Sequence, residues 1–185
     1  AAMAGASGGN ISQLRRGAGA LYWVETRPEE GGRQSLLKLD LSSRQVGELS
    51  PAPLNVRSRV HEYGGGAFAA HDDQIIFSND ADRQLYLRAG SAPAAPLTRA
   101  VQSRYADMCP DPGRRRWLAI VEEHTGSAPP RNFVAALDAD TGAQTTLCEG
   151  RDFYASPRLS ADGKRLAWLA WDQPNMPWDG CELFS

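Results

Sequence analysis

Trp117-Leu-Ala-Ile-Val-Glu122, Phe133-Val-Ala-Ala-Leu-Asp138, Asp140-Thr-Gly142 and Gln144 to Cys148 follow one another closely and decide the fold. Each apolar run is too short for a helix, and none keeps apolar residues at i, i+3, i+4 and i+7, so the runs are strands. Asp140-Thr-Gly142 puts an acidic acceptor and a residue tolerant of positive φ between two of them, as a tight hairpin requires. With Tyr105 to Cys109 in front, the stretch predicts four consecutive antiparallel strands.

The same order of events extends in both directions. Upstream lie Gly66 to His71, Gln74-Ile-Ile-Phe-Ser78, Gln84-Leu-Tyr-Leu-Arg88 and Ala95-Pro-Leu-Thr98. Before them come Ala20-Leu-Tyr-Trp-Val-Glu25, Ser35-Leu-Leu-Lys-Leu-Asp-Leu41 and Gln45 to Leu49, a three-stranded meander. Downstream, Ser156-Pro-Arg-Leu-Ser160, a turn at Asp162-Gly163, Arg165 to Trp171 and Glu182 to Ser185 begin a further group. Superposing second strands on Trp117 and Arg165 gives a repeat of about 48 residues, within the range of four-stranded propeller blades. The fold class is therefore all-β: a partial β-propeller of about three and a half to four blades of four-stranded antiparallel sheet. Residues 1–19 are expected to form a flexible N-terminal segment and the start of the first strand. The propeller is expected over 20–185, with blades at about 20–50, 64–100, 104–150 and 153–185.

Composition excludes several classes. With 20 basic and 22 acidic residues, net charge −2 and no long block of one sign, the chain offers no track for nucleic acid. Apolar stretches such as Ala67 to Ala70 and Leu166 to Trp171 fall far short of a bilayer span, so no membrane is expected. The first ten residues lack the basic and apolar regions of a signal peptide, which points to the cytoplasm. Cys109, Cys148 and Cys181 are scattered and odd in number, as expected of reduced thiols.

Several longer strings carry more than a generic propeller: Tyr22-Trp-Val-Glu-Thr-Arg-Pro-Glu-Glu-Gly-Gly-Arg33, Arg57-Ser-Arg-Val-His-Glu-Tyr-Gly-Gly-Gly66, Asp152-Phe-Tyr-Ala-Ser-Pro-Arg-Leu-Ser-Ala-Asp-Gly163 and Leu166 to Gly180. From Leu21 to Leu183 the chain resembles the N-terminal propeller of dipeptidyl aminopeptidase and acylaminoacyl-peptidase-like enzymes of the prolyl oligopeptidase family. It departs from that pattern at Ser58, Ala161 and Gln173, where Thr, Pro and His are usual. The resemblance implies a serine exopeptidase whose Ser, Asp and His lie in an α/β-hydrolase domain downstream, and a ring of which this chain supplies about half. It further implies that the chain alone is not an enzyme, that short peptides are partners only in the full enzyme, and that open blade edges favour self-association. The alternative is a free-standing propeller serving as a protein-interaction module.

No catalytic residues or cofactors are expected here. Gly5-Ala-Ser-Gly-Gly9 matches G-x-S-x-G, but no strand precedes Ser7 and a nucleophile elbow needs a strand-to-helix turn. His61, His71 and His124 fall in different repeats, so no metal is expected. The strongest functional candidates are Arg59, His61, Glu62 and Tyr63, a guanidinium, an imidazole, a carboxylate and a phenol ahead of three glycines. They suit a substrate-gating contact in which Glu62 pairs a peptide's amino end, or a blade-to-blade polar network. On an extended strand His61 and Tyr63 face one side and Glu62 the other, unless the glycines bend the chain. Trp178 and Asp179, in Asn175-Met-Pro-Trp-Asp179, are interface candidates in a stiff loop suited to packing on a neighbouring domain, or a plain blade hairpin.

Overall fold

The computed structural model describes residues 9–126 and 128–185; Ser7 and its G-x-S-x-G match lie outside the described residues. Four antiparallel sheets follow one another along the chain. The first holds β1 (Ile11–Gly17), β2 (Ala20–Arg27), β3 (Arg33–Asp40) and β4 (Val46–Glu48) in chain order. The second holds β5 (Phe68–His71), β6 (Gln74–Ser78), β7 (Leu85–Ala89) and β8 (Ala95–Pro96). The third holds β9 (Ser103–Asp111), β10 (Arg116–Glu123), β11 (Arg131–Asp138) and β12 (Gln144–Glu149). The fourth holds β13 (Phe153–Leu159), β14 (Leu166–Trp171) and β15 (Glu182–Phe184). The first strands touch in series, β1 with β5, β5 with β9 and β9 with β13, so they form the inner wall of an arc of four propeller blades. One strand escaped the sequence pattern. Residues Ile11–Gly17 pair with β2 as the first strand of the first blade, although they are mostly polar and exposed.

The run at 117–122 is apolar throughout because the third blade is covered on both faces. Side chains alternate across a strand. Trp117, Ala119 and Val121 enter one core with Ile76 and Leu85 of the second blade. Ile120 joins Val134, Tyr154 and Ala170 on the side of the fourth blade. A separate cluster of Tyr22, Val24 and Leu36 with Phe68, Ile75 and Phe77 joins the first two blades. The hydrophobic core is thus a set of slabs between blades. On the outermost sheet, β14 is only half-buried over its first four residues.

The hairpin after β11 closes as its sequence requires. Asp138 Oδ1 accepts from the Thr141 amide at 2.8 Å and Thr141 Oγ1 at 2.8 Å, and Gly142 takes φ 70. Among the described residues no helix is long and apolar enough to cross a membrane, and Cys109, Cys148 and Cys181 are free thiols.

Candidate functional site

The connector between the first and second blades carries Arg59, His61, Glu62 and Tyr63, and it is a turn rather than a strand. Arg57 is held by its amide donating to Ser78 O at 3.1 Å. The turn spans Val60 to Gly64, whose amide donates to Val60 O at 2.8 Å. His61 and Glu62 themselves take left-handed φ of 56° and 66°. The chain does bend here, at His61 and Glu62 as well as at Gly64, whose φ is 89°. Left-handed backbone is costly for side chains with a Cβ and persists only where surrounding contacts hold it.

Those contacts come from the third blade. Glu122 on β10 and Arg104 on β9 sit opposite each other in the strand register. The Glu122 carboxylate is buried and accepts from the His61 amide at 2.7 Å and from Arg104 Nη1 at 3.1 Å. His124 Nε2 lies 2.7 Å from Glu122 Oε1. The same Arg104 nitrogen reaches Arg59 O at 2.9 Å and Glu62 Oε1 at 2.6 Å. One buried ion pair therefore clamps the first half of the turn, at Arg59, His61 and Glu62. The Arg104 guanidinium also holds the Glu62 carboxyl below its ordinary range.

The glycines serve a close approach. A Cβ on Gly66 would lie 2.7 Å from Asp107 Oδ1, and one on Gly65 would lie 2.9 Å from the Ala106 Cβ. Asp107 is itself left-handed (φ 55) at a bulge in β9, like Gln13 in β1 and Ser156 in β13. Its carboxylate accepts from the Gly66 amide and, at 2.8 Å, from the Ser156 amide. Gln13 Oε1 accepts from the Ala67 amide at 2.7 Å. Successive inner strands are thus tied by side chains where bulges interrupt their ladders.

The sequence candidates are brought together only in part. Arg59 pairs with Asp80, its Nη2 2.8 Å from Oδ2, while Glu62 goes to Arg104. His61 turns inward, edge-on to Phe153 and Trp171 with centroids at 5.1 and 5.5 Å. Burial pushes its pKa down, against the opposing pull of Glu122 and Asp107. Tyr63 lies 5.6 Å from His61 and is 56% exposed. Glu62 stands on the outer side of the turn, its side chain 77% exposed. Beside the turn opens a cavity of about 350 Å³ lined by His61, Tyr63, Trp171, Pro177 and Ser156. The loop bearing Trp178 and Asp179 reaches this cavity through Pro177. Trp178 itself is 74% exposed, and Asp179 is engaged with the Met176 amide at 3.1 Å. Another cavity, of about 260 Å³, lies at the opposite ends of β5 and β9, where Arg115 pairs with Asp140 and Arg116 with Asp111. Arg104, Glu122 and Asp107 escaped the sequence reading, and His124 figured in it only as a rejected metal ligand. Their one signal was Glu122 closing an apolar run, and its partner depends on register.

An arc of β-propeller with its polar chemistry on connectors facing the inner wall defines the class of this protein. No protein-family model matches the chain, and the comparison with curated proteins returned no match. Solved structures do match. Against puromycin hydrolase the chain is 35% identical at a TM-score of 0.86, covering 96% of this chain and 30% of that one. A puromycin-hydrolysing peptidase from Mycobacterium tuberculosis is 35% identical at a TM-score of 0.81, with 94% and 29% covered. TolB from Acinetobacter baumannii, 17% identical at a TM-score of 0.63 with 95% and 40% covered, shares the fold alone. The chain is similar to the propeller segment of puromycin hydrolase, a structure of the prolyl oligopeptidase family, and spans about 30% of that structure's length.

Proposed function

We propose that this chain forms part of the non-catalytic propeller of a serine exopeptidase of dipeptidyl or acylaminoacyl type, and that its inner wall gates short peptides on their way to an α/β-hydrolase domain. Glu62 receives the peptide's amino end, and the aromatic cavity of His61, Tyr63 and Trp171 takes the adjoining side chain. The observation that carries this reading is Glu62 itself, an exposed carboxylate held on a strained turn beside that cavity. Clamping by Arg104 keeps it ionised, and a carboxylate fixed in place loses little entropy on meeting an ammonium group. Chemistry belongs to the other domain, so the 185-residue chain does not hydrolyse aminoacyl or acyl-aminoacyl substrates.

The test uses a short peptide amide with a free amino group beside its N-acetylated form, titrated into this chain by calorimetry. The free amine binds more tightly, and Glu62→Gln removes the difference. Equal binding of the two forms, or turnover of a chromogenic aminoacyl substrate by the pure chain, refutes the proposal.

A further inference from the structure

The inner wall carries a second feature of opposite charge. Arg15 and Arg16 on β1 and Arg158 on β13 line a cavity of about 240 Å³ together with Phe68 and Met108. First strands of all four blades contribute to it, which places it on the channel face. All three arginines are exposed. Arg15 Nη1 donates to Leu14 O at 3.1 Å and Arg158 Nη1 to Pro157 O at 2.8 Å, each a neighbouring carbonyl that leaves most of the guanidinium fork free. The one carboxylate lining the cavity is Asp107, whose two oxygens are taken by the Gly66 and Ser156 amides. Three guanidinium groups against one carboxylate, in a chain of net charge −2, are a local excess of positive charge.

We propose that Arg15, Arg16 and Arg158 form a carboxylate-binding site for the C-terminal end of a short peptide. A guanidinium presents paired donors in the spacing of a carboxylate's two oxygens. The cavity holds about one residue beside Phe68 and Met108, whereas a polyanion needs an extended groove. Asp107 lines both this cavity and the one beside Glu62. A zwitterionic peptide thus meets a carboxylate at one place on the wall and guanidinium groups at another. The inference builds on the proposed peptide-gating role, but its test leaves Glu62 out.

The probes are N-acetyl-dialanine, which has a carboxylate and no ammonium, and its C-terminal amide. Each is titrated into the nitrogen-15-labelled chain, following the amides of Gly66, Ala69 and Met108. The acid shifts these amides and binds roughly tenfold more tightly than the amide, as expected for a charge-assisted contact. Arg16→Gln and Arg158→Gln each weaken the acid. Equal binding of acid and amide, no shifts, or unaltered binding by a folded R16Q/R158Q double variant overturns the proposal. Inorganic phosphate shifting the same amides as strongly as the peptide acid also overturns it, by showing a patch that does not select carboxylates.

Discussion

Replacing Glu122 with Ala tests whether one buried carboxylate holds the His61–Glu62 turn. Glu122 is 3% exposed and serves the His61 amide, Arg104 and His124. Removing one member of a buried ion pair costs about 3–5 kcal/mol when the other charge is stranded. Here Arg104 keeps Glu62 and Arg59 O, so that part of the loss is smaller. The orphaned His61 amide adds about 1–3 kcal/mol. Together these place Glu122→Ala near 3 kcal/mol, about 1.5 M in urea midpoint at a slope of roughly 2 kcal/mol/M. Glu122→Gln keeps one carbonyl acceptor and loses the charge, so about half that effect is expected. Urea unfolding measures the midpoint, and hydrogen exchange at the His61 and Gly64 amides locates the loss in the turn. A midpoint within about 0.25 M of the parent, or protection at His61 unchanged in E122A, would refute the clamp.

Three further outcomes are expected. His61 is held below its ordinary pKa, so below about pH 6.5 the unfolded chain binds a proton that the folded chain refuses, and stability falls as pH drops toward the folded pKa. His61→Asn keeps a residue tolerant of left-handed backbone and removes this titration, so its urea midpoint declines less between about pH 7 and 5.5; an unchanged slope contradicts the assignment. Gly142→Ala drives a Cβ into Leu97 O at φ 70 and costs about 2 kcal/mol or more, whereas Gly31→Ala, at φ 68 in open space, costs about 1; equal thermal shifts would show that the Leu97 contact is irrelevant. Asp107→Ala strips acceptors from the Gly66 and Ser156 amides and lowers the melting temperature by roughly 5–10 °C, corresponding to about 2–4 kcal/mol; a shift under about 1 °C would show that the inner strands do not depend on it.

Strand order and blade number were legible because they depend on local signals. The apolar run at 117–122, Asp138 with Gly142, and the recurrence of that pattern in flanking segments all act within a few residues. The exception is β1, where a polar strand lining a wet inner wall carries no apolar alternation to read. The candidate turn was legible as a cluster of chemical groups but not as a geometry. An extended chain would set His61 and Glu62 on opposite faces of a strand, and only tertiary contact holds them in a left-handed turn instead. Glu122 and Arg104 lie 61 and 42 residues from their partners in the turn. Their meeting depends on how the third blade stacks against the connector, which no local pattern encodes. The same holds for Arg15, Arg16 and Arg158, joined across the wall because β1 and β13 flank the arc. Composition and periodicity thus determined the elements and their repetition, since these follow from side-chain burial along one strand. The stacking of blades decided which charges are paired and which are left to meet a ligand.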